Sequence, residues 1–194
     1  MNSRLFQRDF SIMILGQIIS LFGNSILRFS LSLYVLDVTG SAAVFGTILA
    51  VSMIPTLVLS PFGGVLADRL PKQKIMAILD FVTAGMSVSD DVIFGSIGSL
   101  AAVAVFMILL TLIQAFYQPA VQASIPLLAA REHLMAANGI VMQVQALAGL
   151  LGPILAGMLY GIGGVKPILA ASAVCFFLSA VMELFLRIPH DKRA

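Results

Sequence analysis

The sequence predicts an all-α integral membrane protein with six transmembrane helices. Apolar residues make up 60% of the 194 residues and charged residues only 10%, whereas soluble chains carry roughly 25% charge. Polar and Gly/Pro-rich clusters divide the chain into apolar segments of the length that a membrane helix needs, about 20 residues. We therefore expect a lipid bilayer to surround the chain.

The apolar segments are read as one bundle that comprises residues 1–194. The first segment is too long for a secretory signal and is not followed by an A-x-A-like cleavage site, so we interpret it as a retained first helix. The six predicted spans are approximately 10–36, 42–66, 74–92, 99–119, 137–160 and 165–187.

The distribution of Lys and Arg predicts an orientation. Six spans place both termini on one side, and nine of the eleven Lys and Arg residues fall on that side. The other side has only Lys166, and Arg28 lies within a span. Cytoplasmic loops are enriched in Lys and Arg. The sequence thus predicts a multi-pass protein of the plasma membrane with both termini in the cytoplasm.

Several classes of function are disfavoured by the sequence. Cys175 is the single cysteine, which excludes a disulfide framework and a cysteine-based metal site within the chain. His133 and His190 are isolated, and no GxxxxGK[ST] phosphate loop occurs. No nucleophile has a plausible base beside it, and no basic block alternates with aromatic residues. We expect neither an enzyme nor a metal or cofactor site, and no nucleic-acid partner.

The first helix carries a stripe of polar residues. Gln17, Ser20, Asn24, Arg28 and Ser32 recur at steps of three and four, which places them on one face of a helix. Polar groups within spans usually face a bundle interior or a water-filled cavity. The alternative is that Arg28 extends to the outer interface and Asn24 bonds a neighbouring helix. The length of the stripe favours the wall of a polar cavity.

The fourth and fifth helices also contain polar residues, among them Tyr117 and Gln145. Taken singly, each is readily explained by a hydrogen bond between helices. Together with the stripe of the first helix they extend the set of cavity candidates. That set is Gln17, Asn24, Arg28, Gln114, Gln118 and Gln143.

Small residues recur in the second and fifth helices, which predicts close contacts between helices. Ala42, Gly46 and Ala50 are spaced by four residues in the second helix. In the fifth helix the small residues surround Pro153, which removes one backbone hydrogen bond and bends the helix. Such residues let helix backbones approach closely in lipid, although Gly and Ala are also frequent in membrane helices generally. The fifth-helix set is Gly149, Gly152, Pro153, Gly157 and Gly161.

The loop between the second and third helices, "GVLADRLPKQK", resembles the signature loop of the major facilitator superfamily, G-x-x-x-D-R-x-G-R-[RK]. Pro71 replaces the second glycine, and Gln73 occupies the second basic position. The residues that carry the resemblance are Gly64, Asp68, Arg69, Lys72 and Lys74.

Other segments agree with this resemblance. "RDFSIMILGQIISLFGNSILRFSLSLYVLDVTGSAAVFG" and "YQPAVQASIPLLAAREHLMAANGI" look like the drug-efflux branch that includes macrolide and siderophore exporters. "GLLGPILAG" is similar to the antiporter motif of the fifth helix, which ends in G-P-x-x-G-G. Gly152, Pro153 and Gly157 match that motif, and Ala156 stands for one glycine.

The resemblance implies an architecture and a role for each helix. The chain corresponds to the N-terminal six-helix half of a twelve-span fold, with residues 188–194 at the start of the central cytoplasmic linker. Helices 1 and 4 would line the cavity, helices 2 and 5 would meet the other half, and helices 3 and 6 would face outward. Asp68 and Arg69 would form a latch that steadies one state of the transporter.

The function implied is a secondary-active, proton-coupled exporter of drugs or other small amphipathic compounds. The second six-helix half would be a separate chain or a second copy. The alternative is a truncated or non-transporting protein that acts as a fragment or an interaction module.

The helix-4 arginine of many proton-coupled exporters is absent, so the candidates for coupling are Asp37, Asp80 and Glu183. We expect Asp37 and Glu183 to be solvated near helix ends. Asp80 has a structural alternative, which is an ion pair with Lys74 or Arg69.

Overall fold

The computed structural model describes residues 8–94, 100–186 and 188. These residues form six α-helices and one short 3₁₀ helix, Arg131–His133, and contain no strand. The helices are α1 (Arg8–Thr39), α2 (Ala42–Arg69), α3 (Lys72–Phe94), α4 (Leu100–Leu128), α5 (Leu134–Gly163) and α6 (Val165–Leu184).

Most of these helices are suited to a bilayer. Five helical segments of the described chain, in α1, α2, α4, α5 and α6, are long and apolar enough to cross a membrane. The remaining helix, α3, is long enough at 23 residues but carries Lys72, Lys74, Asp80, Asp90 and Asp91. The chain is therefore an all-helical, multi-pass membrane protein.

Helix α1 is the centre of the bundle. Its most extensive contacts are with α5 and α6, and it also contacts α2 and α4. On either side, α3 pairs with α6 and α2 pairs with α4. This arrangement explains why α1 buries polar as well as apolar side chains, since most of its faces meet another helix.

The apolar interior consists of two clusters at different heights of the bundle. The first, which we call the proximal core, lies near the start of α1 and includes Phe10, Met76 and Ile125. The second, the distal core, lies toward the other end of α1 and includes Leu31 and Phe106. Buried polar residues occupy the level between the two cores.

Two of the connections between helices are very short and depend on glycine. Gly40 joins α1 to α2 with φ of 62°, and Gly164 joins α5 to α6 with φ of 70°. Only glycine adopts this left-handed region without a steric penalty. After Gly40, the Ser41 hydroxyl accepts a hydrogen bond from the Val44 N–H at 3.3 Å and so caps the start of α2.

Helix α4 extends well beyond its predicted span, which ends at residue 119. The helix continues through Pro119 to Leu128. Pro119 has no N–H, so the carbonyl of Ala115, four residues earlier, lacks its helical donor. The backbone of α2 packs at this point, because a Cβ on Gly63 would overlap the Ala115 carbonyl oxygen. A close contact between α2 and α4 thus forms where proline interrupts the helical hydrogen bonds.

Candidate functional site

A polar cavity of about 270 Å³ opens between α1, α4 and α5. Its wall combines amide and guanidinium groups with small and apolar side chains. The lining residues are Leu21, Asn24, Ser25, Arg28, Gln114, Gln118, Gln145, Ala148 and Gly149. Four of the six sequence-predicted candidates, Asn24, Arg28, Gln114 and Gln118, are thereby brought together in one cavity.

The glutamines of the cavity wall are joined by hydrogen bonds. The Gln145 amide donates from Nε2 to Oε1 of Gln118 at 2.7 Å. Gln118 in turn donates from Nε2 to Oε1 of Gln114 at a longer 3.4 Å. These bonds connect α5 to α4 and orient the Gln118 amide. A bound molecule would meet a row of fixed dipoles along this side of the cavity.

The α1 side of the cavity carries groups whose hydrogen-bonding capacity is unused. Asn24 is only 7% exposed, and its Nδ2 has no partner. Arg28 forms no ion pair within the part of the chain that the structure describes. Both side chains are donors on the wall of an open cavity. They can bind a ligand that offers hydrogen-bond acceptors.

The two remaining candidates lie elsewhere. Gln17 is fully buried, and neither its Oε1 nor its Nε2 has a partner. Gln143 is on the exposed side of α5 and does not line the cavity. Gln145, two residues along, takes the cavity position instead. Since two residues turn a helix by about 200°, the two glutamines must point in different directions.

A layer of buried polar residues separates the proximal core from the distal core. It is formed where α1, α3, α4 and α6 meet, and two carboxyl groups, each 1% exposed, lie within it. We call it the polar layer. Its residues are Gly16, Ser20, Asp80, Tyr117, Ser179 and Glu183.

Hydroxyl groups supply the hydrogen bonds of the polar layer. Tyr117 donates to Oε1 of Glu183 at 2.6 Å, and Ser20 donates to Asp80. The Ser20 and Ser179 hydroxyls lie 3.0 Å apart, and Ser179 also donates to the Gly16 carbonyl at 3.2 Å. Oε2 of Glu183 is buried and has no partner.

Two of the three coupling candidates, Asp80 and Glu183, have environments that differ from those expected. Glu183 is not solvated near a helix end, since α6 packs against α1 and α3 and the Tyr117 side chain of α4 covers its carboxyl group. Asp80 does not pair with Lys74, which is exposed, but accepts from Ser20; the side chain of Arg69 lies outside the described residues. Asp37 is exposed, as expected, and accepts a hydrogen bond of 2.7 Å from the Tyr160 hydroxyl.

The loop motif is only partly within the described structure. The helix α2 continues through Arg69, but the side chains of Asp68 and Arg69 lie outside the described residues. Pro71 accepts backbone hydrogen bonds from Lys74 and Ile75 at the start of α3. Gln73, which departs from the family pattern, donates to the Leu184 carbonyl at 2.8 Å and ties α3 to the end of α6.

The small residues of α5 fall on two sides of the helix. A Cβ on Gly152 would overlap the Ser25 hydroxyl, so Gly152 allows α5 to approach α1 closely. In contrast, a Cβ on Gly149, Gly157 or Gly161 would meet nothing within 4 Å. The glycines of the antiporter-like motif therefore divide between a contact inside the bundle and an open surface.

These features define a multi-pass helical membrane protein with an open polar cavity between its first, fourth and fifth helices. The chain belongs to the Major Facilitator Superfamily, a family of membrane transporters, and residues 13–194 match that family. The family resemblance that the loop and the helix-5 motif indicated is thereby confirmed.

The chain is similar in sequence to curated drug-efflux proteins. It is 29% identical over 175 residues, 90% of the chain, to macrolide efflux protein A of Streptococcus pyogenes, and covers 43% of that protein. It is 30% identical over 151 residues, 77% of the chain, to macrolide efflux protein A of Enterococcus faecalis, and covers 46% of it. It is also 22% identical over 189 residues, 96% of the chain, to the uncharacterized MFS-type transporter YkuC of Bacillus subtilis, again covering 43%. The chain thus spans less than half the length of these relatives.

Proposed function

We propose that the chain forms the N-terminal half of a secondary-active exporter of small amphipathic compounds. The observation that carries the proposal is the polar cavity between α1, α4 and α5 in a chain of this family. The similarity to macrolide efflux proteins supports export as the direction and makes macrolides the first compounds to test.

In this proposal the cavity is one half of a substrate site. Transporters of this kind bind substrate near the membrane midplane between two related bundles. Asn24 and Arg28 supply hydrogen-bond donors from α1, and Gln118 and Gln145 supply amides from the opposite wall. Apolar neighbours such as Leu21 accommodate the apolar part of an amphipathic compound. Gln17 extends the line of Asn24 and Arg28 toward the interior of the bundle.

The second bundle would pack on the faces of α2 and α5. Helix α5 carries exposed apolar residues, for example Leu150, Ile154 and Met158. The open glycines Gly149 and Gly157 give the same side of the molecule a surface on which another helix can approach closely. Rocking of the two bundles about this contact would open the cavity to each side of the membrane in turn. Asp68 and Arg69 would latch one of the two states, and α3 would be the sixth membrane span.

Coupling to protons would drive export. The protein would lie in the plasma membrane, with both termini in the cytoplasm.

The orientation has a direct test in a Cys175→Ser background. An added cysteine at Ser41 should react with an impermeant maleimide applied to intact cells, and one at Glu132 should react only after lysis. The reverse pattern would overturn the orientation.

Export is tested by the accumulation of a radiolabelled macrolide in cells. The chain would be expressed alone, as a tandem duplicate, and together with the C-terminal part of the Streptococcus pyogenes relative. Lower accumulation than in vector controls, in any of the three, supports an exporter half and shows which second bundle completes it. Equal accumulation in all three, with the chain present in the membrane, would contradict export and favour the non-transporting alternative.

A further inference from the structure

The polar layer lies in an otherwise apolar interior and carries more acidic groups than its neighbours can neutralise. Asp80 comes from α3 and Glu183 from α6, and both carboxyl groups are 1% exposed. The proximal core closes the layer toward one end of the bundle, and the distal core closes it toward the other. The layer is therefore removed from bulk solvent in the described structure.

No positive charge accompanies these acids in the described residues. The ion pair found there, His133 with Glu132 at 3.6 Å, is at the surface and remote from the layer. The hydrogen-bonding groups around the two carboxyls in the described part of the chain are neutral hydroxyls: Ser20 on α1, Tyr117 on α4 and Ser179 on α6. Two ionised carboxylates in this setting would carry an uncompensated buried charge, which is strongly unfavourable.

The hydrogen-bonding pattern leaves a carboxyl oxygen of Glu183 unpaired, and a proton can bind to such an oxygen. The Tyr117 hydroxyl donates to Oε1 of Glu183, while Oε2 of the same carboxyl is buried and has no partner. Gln17 is also fully buried with both polar atoms unpartnered. These two side chains retain unused acceptors and donors at the depth where a proton would have to bind or move.

Helix α1 contributes residues both to the cavity wall and to the polar layer. At 3.6 residues per turn, Gln17, Asn24 and Arg28 lie within about 40° of one another around the helix axis. Gly16 and Ser20 lie to one side of that line and face Ser179 and Glu183 on α6. Gln17 thus lies at the height of the polar layer and, around the helix axis, on the same side of α1 as the cavity residues.

We propose that Asp80 and Glu183 form the proton-binding site of this bundle, linked to the cavity through Gln17. This inference rests on the proposed function, since a proton bound here drives transport only in a transporter. On binding, one proton forms an O–H bond with a carboxylate oxygen of the pair, and the layer loses one negative charge. On release, the proton returns to water admitted when the bundle rearranges. On binding, an O–H bond of a hydronium ion breaks as the carboxyl O–H bond forms, and on release the carboxyl O–H bond breaks as hydronium forms again.

Infrared difference spectroscopy of the purified chain in lipid nanodiscs tests the site without requiring transport. Raising the pH in sodium-free buffer should remove a protonated-carboxyl C=O band in the wild type. In Asp80→Asn and in Glu183→Gln the band should be lost or should titrate at a different pH, because each variant removes one member of the pair. Tyr117→Phe, which keeps both carboxyls, should shift the frequency of the band. Glu132→Gln alters an exposed carboxyl and should leave the band unchanged.

The absence of a titrating band, or a band that neither carboxyl variant alters, would overturn the proposal. Loss of the band on adding sodium at constant pH would overturn it in favour of a sodium site. For variants that fold, proteoliposomes supply the link to function. Glu183→Gln should lose macrolide uptake driven by a pH gradient and keep exchange of labelled for unlabelled macrolide. If wild-type chain with a second bundle transports nothing, the proposed function fails, while the infrared titration still decides the proton site.

Discussion

The contact between Gly152 and Ser25 offers a sharp test of how α5 packs on α1. Alanine at position 152 would place its Cβ over the Ser25 hydroxyl and 2.5 Å from the Ser25 Cβ. The Ser25 hydroxyl can rotate away, but the Ser25 Cβ is fixed to the backbone, so the helices must move apart. Overpacking of this kind typically costs about 1–3 kcal/mol. Gly157→Ala is the matched control on the same helix, because its Cβ would meet nothing within 4 Å.

The two variants share the same gain in helix propensity, up to about 1 kcal/mol for Gly to Ala. The difference between their free energies of unfolding therefore isolates the packing cost, and we expect Gly152→Ala to be about 1–3 kcal/mol less stable than Gly157→Ala. Unfolding in mixed detergent–SDS micelles, followed by circular dichroism, measures this difference.

A second-site change strengthens the test. Ser25→Gly removes both atoms that the new Cβ would meet, so it should restore stability to Gly152→Ala more than it alters the wild type. A double-mutant cycle would then give a coupling free energy of about 0.5–3 kcal/mol. Equal stability of Gly152→Ala and Gly157→Ala, or a coupling energy of zero, would refute the close approach of α5 to α1.

Two further predictions concern α2 and the loop that follows it. Gly63→Ala should lower the free energy of unfolding by about 1–3 kcal/mol, because the added Cβ would overlap the Ala115 carbonyl oxygen. Gly46→Ala is the control and should not lower it, because its Cβ would meet nothing within 4 Å. Equal free energies of unfolding for the two variants in the same assay would contradict the α2–α4 contact. Asp68→Asn should slow macrolide efflux while leaving the amount of protein in the membrane unchanged, as measured by immunoblotting, and unchanged efflux would refute the latch.

The sequence was informative where a pattern depends on a single helix. The 3.6-residue period of the α1 stripe predicted a polar wall, and the structure places Asn24 and Arg28 beside one cavity. The loop motif and "GLLGPILAG" indicated the superfamily because they resemble its motifs, and each lies within one short segment of the chain. These signals require no knowledge of neighbouring helices.

The sequence was less informative where partners on other helices decide the outcome. The position of Glu183 near the end of α6 suggested a solvated side chain, but α1 and α3 pack against α6 and Tyr117 of α4 covers the carboxyl group, so Glu183 is buried. The choice between Gln143 and Gln145 depends on the rotation of α5 about its own axis, which its many small and apolar residues do not define. Gly152 and Gly157 look equivalent in the motif and differ only in whether Ser25 lies opposite.

The most direct test of the cavity as a substrate site compares these two glutamines of α5. Gln145 lines the cavity and Gln143 is exposed outside it, so the same substitution to alanine probes the location and not the residue type. The measurement is intracellular accumulation of a labelled macrolide in cells that express each variant with the second bundle. We predict that Gln145→Ala raises accumulation and that Gln143→Ala matches the wild type. Identical accumulation in both variants, or an effect of Gln143→Ala alone, would contradict the cavity as the site of export.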